Sequence, residues 1–341
     1  MTIATPLRLI QAGLGRWGRS WATLAQQADG VALVAVVDPD PAAACWAADA
    51  LDVACHPSLE VALARTACDA VLLTTPPDTH RAMAIAALAA GKHVLIEKPL
   101  ATTLADARAV VAAAEDAGRV AMVSQNYRWR APARAVQRAL AEGVVGDLIA
   151  IRIAFRHDGR LWDADNFRYH MRHPLLLDMT IHHFDLLRAI TGQDVSSVMA
   201  RSWRVPDSPF AHRPEAAALL TLAGGATVVY DGSWATRRAE TSWNGEWQVL
   251  GERGRLRWSG PDADPLTGEV TLEPWAEPPR MLAPPPLALS DRAGVLEAFR
   301  TAIATGQPPE TSAADNIRSL AAVLGAVTSI EEARTVDLRG F

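Results

Sequence analysis

A lysine that follows a short apolar run is the first candidate for chemistry in this sequence. The segment Gly91-Lys-His-Val-Leu-Ile-Glu97-Lys98-Pro99 passes from apolar residues directly into an acid, a base and a proline. A run of this length is typical of a buried parallel strand, and ligands of such sheets bind beyond the carboxyl ends of the strands. Because Pro99 fixes a backbone torsion, we expect Lys98 to stand in that crevice on a stiff turn.

A second group of reactive side chains lies on one predicted helix, from Leu175 to Gly192. Asp178, His182 and Asp185 stand at i, i+4 and i+7, so they form a polar column on one helix face. Burial of such groups without partners is costly. We therefore expect the column to face a solvated cleft, where a carboxylate one turn from an imidazole orients a general base. A purely structural, hydrogen-bonded column is the alternative.

A metal site is the rival interpretation of the same helix, with ligands from Asp178, His182, His183 and Asp185. On a period of 3.6 residues, His183 points about 100° away from His182, which spoils a cluster of four ligands. We therefore expect no metal at this helix.

A glycine-rich turn joins the first predicted strand, Leu7 to Ala12, to a helix predicted from Trp17 to Gln27. It reads Gly13-Leu-Gly15-Arg-Trp-Gly18, which is the G-x-G-x-x-G pattern. The first glycine permits the tight turn, the second lets backbone approach a pyrophosphate, and the third lets the helix pack on the strand. The free N–H groups at the helix N-terminus suit a phosphate, so the turn predicts a bound dinucleotide.

An acid at the end of the second predicted strand, Val31 to Val37, supports this interpretation. A carboxylate at the position of Asp38 accepts hydrogen bonds from ribose hydroxyls. Pro39 follows it, with no adjacent arginine to pair with a 2′-phosphate, so NAD is predicted and NADP is less favoured. A cap for a helix starting at Pro41 is the alternative role of Asp38.

Helix and strand patterns continue to alternate up to residue 124, with helices predicted at 58–65 and 78–90 and strands at 70–74, 93–96 and 120–123. This βαβ order predicts an α/β fold with a doubly wound Rossmann sheet. Thr75 and Pro76 form a turn at the carboxyl edge of that sheet, beside Lys98. His80 either supports this turn or has a functional role. A Thr103-x-x-Asp106 capping box starts a helix that ends near Gly118.

The chain changes character after Ser124, where we place the boundary between a dinucleotide-binding domain, 1–124, and a substrate-binding and oligomerisation domain, 125–341. The C-terminal helix of the second domain could pack back on the first. Alternation at Ile149, Ile151, Ile153 and Phe155 predicts a half-buried strand. Further strands at 195–205, 216–222, 227–234, 248–250, 255–258 and 269–272 predict an α+β domain with a large, mostly antiparallel open sheet.

The second domain has too few predicted helices to cover both faces of that sheet. We therefore expect a homodimer or homotetramer formed through it. Eight of the eleven tryptophans follow Arg128. Packing in a core or a subunit interface is preferred for them over stacking on a sugar.

Composition narrows the class of protein further. The 341 residues are 50% hydrophobic, enough for a sizeable core, and carry a formal net charge of -5. Such a charge offers no basic field to nucleic acid or to an anionic membrane. The first residues lack the features of a signal peptide and no apolar run reaches spanning length, so a cytoplasmic protein is expected. Three unpaired cysteines are expected to be free thiols.

The four motifs together resemble the glucose-fructose oxidoreductase and inositol dehydrogenase family, also called Gfo/Idh/MocA. They are the glycine-rich turn, Thr75-Pro76 with His80, Glu97-Lys98-Pro99, and Asp178-x-x-x-His182-x-x-Asp185. The resemblance covers nearly the whole chain. It implies oxidation or reduction of a carbinol of a sugar, cyclitol or related polyol with NAD or NADP and without a metal.

The resemblance also implies roles for individual residues. Lys98 contacts substrate and nicotinamide, Asp178 binds substrate, and His182 transfers the proton. We expect the cofactor to contact Gly13, Gly15, Arg16, Trp17, Gly18, Asp38, Thr75, Pro76, His80, Glu97, Lys98 and Gln125. Substrate contacts are expected from Arg128, His157, Trp162, Tyr169 and His183. Many members have a glycine-rich loop before the acid, where this chain has Arg172-His173-Pro174-Leu175.

The predicted function is therefore that of an NAD(P)-dependent dehydrogenase, with Lys98 and His182 at the reacting oxygen of a sugar or cyclitol. One alternative is a glycoside-processing enzyme that uses the same cofactor for transient oxidation. The other is a dinucleotide-binding regulator without chemistry, against which the retained Lys98, Asp178 and His182 argue.

Overall fold

The computed structural model describes residues 5–260, 264 and 266–340, and this part of the chain forms two compact units. The first unit contains the chain up to Gln125 together with Arg292–Ile317. The second contains Asn126–Asp291 and the chain from Arg318 onward. The contacts thus group residues 292–317 with the first unit. The single boundary predicted from the sequence, after residue 124, places these residues in the second domain.

The first unit is built on a parallel sheet of six strands within the described residues, in the order β3-β2-β1-β4-β5-β6. The strands are Leu7–Ala12 (β1), Val31–Val37 (β2), Ala54–His56 (β3), Ala70–Leu73 (β4), His93–Glu97 (β5) and Ala121–Ser124 (β6). The predicted doubly wound α/β fold is confirmed. Strand β3 is not predicted from the sequence, because this edge strand has three residues and none of them is buried.

Five helices connect these strands: Arg16–Gln27 (α1), Pro41–Leu51 (α2), Leu59–Arg65 (α3), His80–Ala89 (α4) and Leu104–Ala117 (α5). The predicted capping box is present, since Thr103 Oγ1 accepts a hydrogen bond from the Asp106 amide over 3.1 Å. The predicted helix start at Asp78 is wrong. Residues Pro77–Thr79 form a short 3-10 turn and the α-helix begins at His80.

The second unit is built on a mixed sheet of nine strands within the described residues, in the order β14-β13-β12-β11-β7-β10-β9-β8-β15. Its neighbours are antiparallel except for the parallel pair β7 and β10. The strands are Leu148–Arg156 (β7), Val195–Trp203 (β8), Glu215–Leu222 (β9), Thr227–Ser233 (β10), Glu246–Gly251 (β11), Gly254–Ser259 (β12), Glu269–Pro274 (β13), Arg280–Met281 (β14) and Val336–Asp337 (β15). The predicted mostly antiparallel sheet is confirmed.

One face of this sheet carries the core of the second unit. Trp234, Trp247 and Trp258 are buried there, together with apolar residues of helices Ala131–Ala141 (α6), Ile181–Thr191 (α7) and Ala313–Glu332 (α9). Helix α8, Asp291–Thr305, precedes α9. These buried indoles agree with the expected core packing of tryptophans, although Trp203 and Trp275 are exposed.

The predicted inward position of Ile149 is wrong. The register between β7 and β11 shifts, so that Leu250 pairs with Ala150 and Gly251 with Leu148. This irregularity skips Ile149, whose side chain is 56% exposed, while Ile151 and Ile153 point into the core. A bulge of this kind reverses the face on which the preceding residue lies.

The helix predicted from Leu175 to Gly192 consists of two kinds of turn. Residues Leu175–Thr180 are π-helical, and α7 continues from Ile181 until Gly192 closes it in a left-handed conformation. Short π-helical turns inside helices are frequent at functional sites. Among the described residues, no helix is long and apolar enough to cross a membrane.

Candidate active site

The glycine-rich turn of the first unit has the geometry of a phosphate cradle. A Cβ atom on Gly13, whose φ is +95°, would lie 2.7 Å from the Thr74 carbonyl, and one on Gly18 would lie 2.1 Å from the Gly13 oxygen. A Cβ on Gly15 would meet nothing within 4 Å. Gly13 and Gly18 are therefore required for packing, whereas Gly15 leaves its surroundings open at the N-terminus of α1.

A buried amide holds this turn in place. Gln11 Nε2 donates to the carbonyl oxygens of Gly13 and Gly18 over 3.1 and 2.7 Å. The first turn of α1 contains no acidic residue, so nothing there neutralises the positive end of the helix dipole. Arg16 and Trp17 are exposed beside it. The predicted cofactor residues of this turn thus fit the pyrophosphate of a dinucleotide.

Asp38 is attached to the same turn. Its Oδ2 accepts a hydrogen bond from the Leu14 amide over 2.7 Å, and its Oδ1 accepts one from the Asp40 amide over 3.0 Å. The helix-cap alternative is not what the structure shows, because the N-cap of α2 is Asp40, which accepts from the Ala42 amide. A carboxylate retains further acceptor positions after two such bonds, so Asp38 remains suited to ribose hydroxyls.

The turn that carries Lys98 is fixed by its acidic neighbour. Glu97 Oε1 accepts a hydrogen bond from Trp21 Nε1 over 2.7 Å, and its Oε2 accepts one from the Lys98 amide over 3.1 Å. Glu97 is buried and Trp21 fully so. Glu97 therefore ties the end of β5 to α1, a supporting role rather than the direct cofactor contact that the resemblance implies.

His80 lies between two turns of the first unit. Its Nδ1 is 2.9 Å from the Pro99 carbonyl oxygen and its Nε2 is 2.9 Å from the Thr75 carbonyl oxygen. The ring is fully buried, and this burial lowers the pKa of His80 although both carbonyls oppose the effect. The geometry favours the supporting role over direct cofactor contact, and it joins the Thr75-Pro76 turn to the turn after Lys98.

Gln125 ends the first unit just after β6. Its side chain is fully buried, and within the described part of the chain neither its amide nitrogen nor its amide oxygen has a hydrogen-bond partner. Buried amides are normally satisfied. An amide left open at the carboxyl edge of a parallel sheet fits the expectation that Gln125 binds a polar group of the cofactor.

In the second unit, the polar column divides into three separate environments. Asp178, in the π-helical turn, is buried and accepts a hydrogen bond from Arg168 Nε over 2.6 Å. Asp185 accepts two hydrogen bonds from Arg128, each 2.7 Å long, and a third from Ser319. Arg128 and Asp185 are both buried. The structural alternative therefore applies to Asp185, and Arg128 holds this carboxylate instead of facing a substrate.

His182 stands between these two acids and stacks on an aromatic ring. The centroids of His182 and Tyr127 are 4.2 Å apart with an interplanar angle of 11°. The guanidinium carbon of Arg130 lies 3.3 Å from the Tyr127 centroid, so Arg130 must occupy the other face of the ring. Arg130 is itself held by Asp291 and Asn244 over 2.9 and 2.6 Å. This arrangement fixes the plane of the imidazole.

The remaining substrate candidates are packed into the core of the second unit. His183 is fully buried, with Nδ1 3.2 Å from Tyr230 Oη and Nε2 3.4 Å from the Trp243 oxygen. Burial lowers the pKa of His183 to about 3. The structure therefore gives it a packing role, in place of the predicted substrate contact.

Tyr169 and His157 are enclosed as well. Tyr169 is buried and donates its hydroxyl to the carbonyls of Gly159 and Trp162 over 2.8 and 3.1 Å. His157 is buried and stacks on Trp243 at 4.2 Å. Trp162 is half-buried with its ring edge-on to Trp234 at 4.9 Å. Packing in the second unit therefore explains these residues better than direct substrate contact.

The loop before Asp178 contains no glycine, yet one of its residues adopts a backbone conformation that glycine favours. His173 adopts a φ of +47°, the left-handed region that glycine enters without strain. His173 Nε2 and Arg172 Nη2 both lie near Glu331 Oε1, at 3.3 and 3.0 Å. An ion-paired loop thus takes the conformation that a glycine would supply.

Three residues at this site were not assigned from the sequence: Tyr127, Arg130 and Arg168. The first two belong to the segment Gln125-Asn-Tyr-Arg-Trp-Arg, whose polar and aromatic character marks it as unusual. Arg168 has no such signal, because its pairing with Asp178 depends on the path of a loop. Among the described residues, no group of three His, Cys, Asp or Glu side chains could hold a metal ion.

The six-stranded parallel sheet and the glycine-rich turn at the N-terminus of α1 are the architecture of a dinucleotide-binding Rossmann domain. Residues 7–125 match the family described as "Oxidoreductase family, NAD-binding Rossmann fold", and residues 133–257 match the "GFO/IDH/MocA C-terminal domain". The chain belongs to the GFO/IDH/MocA family of oxidoreductases, which confirms the resemblance noted from its motifs.

Relatives and solved structures agree with this assignment. The chain is 32% identical to a D-apiose dehydrogenase of Paraburkholderia graminis, over 96% of this chain and 89% of that one. It is 28% identical to an inositol 2-dehydrogenase of Rhizobium meliloti, over 96% and 97%. An oxidoreductase from Agrobacterium radiobacter, solved with NAD+, L-tartaric acid and magnesium, superposes with a TM-score of 0.87 at 26% identity, over 98% of both chains.

Proposed function

We propose that this protein is an NAD-dependent dehydrogenase of a sugar or cyclitol, in which Lys98, Asp178 and His182 are the catalytic residues. The observation that carries the proposal is His182, held by Tyr127 one turn after Asp178, in a member of an NAD-binding oxidoreductase family. The names of the relatives, which include D-apiose and inositol dehydrogenases, support a polyol as substrate.

NAD supplies the acceptor for the hydride that leaves the carbinol carbon. The residues of the chain manage the proton and the charge. His182 accepts the hydroxyl proton, for which an imidazole is suited near neutral pH. Lys98 stabilises the negative charge that develops on the same oxygen, and Asp178 binds a substrate hydroxyl. The Gly15 cradle, Asp38 and Gln125 hold the cofactor.

NAD is proposed over NADP because of Asp38. Its carboxylate accepts hydrogen bonds from hydroxyls but repels a 2′-phosphate. The two hydrogen bonds from backbone amides hold the carboxylate oriented at the end of β2.

We also propose that the protein is a homodimer or homotetramer through the second unit's sheet. Met199, Leu219 and Val229 lie directly opposite one another on β8, β9 and β10, and their side chains are 44%, 50% and 42% exposed. A contiguous apolar row on an open sheet face is typical of an interaction surface. A second copy of the chain fits it by twofold symmetry.

A substrate panel tests the proposed activity. Purified protein with NAD would be offered pyranoses, pentoses, inositols and sugar acids, and reduced nicotinamide would be followed by absorbance. The best substrate would then be used with His182→Ala, Lys98→Ala and, as a matched control, the exposed His170→Ala. We expect His182→Ala to lower kcat roughly hundred- to ten-thousand-fold with unchanged NAD affinity. Lys98→Ala should impair both kcat and KM.

The alternatives predict other outcomes of the same panel. Consumption of a glycoside without net NADH would indicate transient oxidation. Tight NAD binding with no turnover of any panel member would indicate a regulator. Wild-type turnover by His182→Ala would move the general base elsewhere, with the half-buried His173 as the next residue to test, since His183 is enclosed in the core.

A further inference from the structure

The neighbour of Asp178 suggests which class of polyol the enzyme accepts. Arg168 Nε donates to Asp178 Oδ2 over 2.6 Å, and the two side chains are 28% and 9% exposed. Asp178 binds substrate in the proposed function, so Arg168 stands beside the substrate position. Neither the sequence motifs nor the names of the relatives assign Arg168 a role.

Several contacts within the second unit position Arg168. Its guanidinium carbon lies 5.4 Å from the Trp162 ring centre and 4.6 Å from that of Phe167. Asn166 caps a short 3-10 turn, Phe167–Tyr169, because its Oδ1 accepts a hydrogen bond from the Arg168 amide. Tyr169, the next residue, is buried and anchored by its hydroxyl. The guanidinium is therefore positioned before any substrate arrives, which lowers the entropy cost of binding.

The ion pair of Arg168 and Asp178 presents N–H donors beside carboxylate acceptors, and the net charge of the pair is small. The Arg168 side chain donates a hydrogen bond from Nε to Asp178. Its terminal nitrogens, Nη1 and Nη2, donate none to the residues that the structure describes. A guanidinium has five N–H donors and a carboxylate about four acceptor positions. The terminal nitrogens of Arg168 thus keep N–H donors after Nε has bonded to Asp178.

We propose that Arg168 and Asp178 together recognise two hydroxyl groups on adjacent carbons of an uncharged polyol. The Asp178 carboxylate accepts a hydrogen bond from one hydroxyl, and a terminal nitrogen of Arg168 donates to the oxygen of the other. A substrate carboxylate is disfavoured at this position, because it would approach Asp178 and compete with it for a guanidinium that is already paired. This inference rests on the proposed function and specifies its substrate class.

Paired changes in the enzyme and the substrate test the inference. The panel's best uncharged substrate would be compared with its monodeoxy analogues at the carbons next to the oxidised one, and with the corresponding sugar acid. The variants are Arg168→Met, which removes the donors, and Arg168→Lys, which keeps the charge without the planar fork. Arg160→Met is the matched control, since Arg160 makes a similar pair with Asp158 over 2.6 Å.

We expect Arg168→Met to raise KM for the uncharged substrate at least about tenfold, the effect of a lost hydrogen bond between charged and neutral groups. The Kd for NAD and the melting temperature should stay close to those of the Arg160→Met control. The wild type should discriminate against one deoxy analogue, and this discrimination should shrink in Arg168→Met. The KM of Arg168→Lys and its discrimination against the deoxy analogue should lie between those of the wild type and those of Arg168→Met.

Three results would overturn the inference while leaving the proposed activity intact. They are an unchanged KM in Arg168→Met, equal discrimination against deoxy analogues in both enzymes, and a wild type that prefers the sugar acid and loses that preference in Arg168→Met. The last result would mean that Arg168 binds a substrate carboxylate. If no panel member is oxidised, the proposed function itself fails. If Arg168→Met does not fold, Arg168→Lys and the deoxy analogues with wild type still decide the question.

Discussion

Tyr127 and His182 stack face to face, with ring centres 4.2 Å apart, and this contact sets the plane of the proposed general base. Arg130 covers the other face of Tyr127, so the tyrosine ring cannot turn without breaking two contacts. Burial raises the pKa of Tyr127, so its hydroxyl stays neutral. The ring acts as a spacer between a fixed guanidinium and the imidazole.

Removal of the Tyr127 ring should impair catalysis through His182. We expect Tyr127→Leu to lower kcat at least about tenfold, because a misplaced base loses part of its proton-transfer advantage, while the Kd for NAD is unchanged. Tyr127→Phe keeps the stack and should retain most of the activity. In a His182→Ala background, Tyr127→Leu should cause no further loss. An equal loss in both backgrounds would show that Tyr127 acts on folding and not on His182.

The cofactor preference should depend on Asp38. Asp38→Ser combined with Pro39→Arg should reverse the ratio of the Kd values for NAD and NADP, because the repelling carboxylate is replaced by a cation that pairs with phosphate. Titration of each nucleotide by protein fluorescence measures the ratio. Asp40→Ser is the control, since serine also caps a helix and the change removes the same charge two residues away. Tighter binding of NADP by the unmodified protein would contradict the assignment.

Acid should destabilise the protein through His183. Its folded pKa is lowered to about 3 by burial, below the usual value near 6.5. The unfolded chain therefore binds a proton that the folded chain does not, and stability is lost as the pH falls from about 6.5 towards 3. His183→Gln cannot bind that proton, so its free energy of unfolding should depend less on pH across this range. Urea unfolding at several pH values measures this, with His170→Gln on the surface as control.

The row of Met199, Leu219 and Val229 should determine the oligomeric state. Leu219→Lys, in the middle of the row, places a charge in the proposed interface and should produce monomers at micromolar concentration, because an unpaired buried charge is costly. Light scattering measures the mass. Gln307→Lys introduces the same charge on an exposed loop and should leave the assembly unchanged. A wild-type monomer would refute the proposal at once.

The sequence by itself determined the class of fold and the conformation of the glycine-rich turn at the proposed dinucleotide site. Gly13, Gly15 and Gly18 follow a strand and precede a helix, and the tight approaches at Gly13 and Gly18 are local consequences of that order. The first unit was predictable because parallel strands are apolar along their whole length and alternate with helices. The start of α4 was missed because a 3-10 turn and an α-helix have similar local signals.

Only the tertiary structure decided what each polar residue near His182 does. The helical spacing of Asp178, His182 and Asp185 predicts one common environment for the three side chains. In the structure each contacts a different residue from another part of the chain: Arg168, Tyr127 and Arg128, respectively. The position of Ile149 likewise depended on a register shift against β11. Such partners are chosen by packing over long sequence separations. A periodic pattern indicates that a residue needs a partner, whereas the folded chain alone determines which partner it finds.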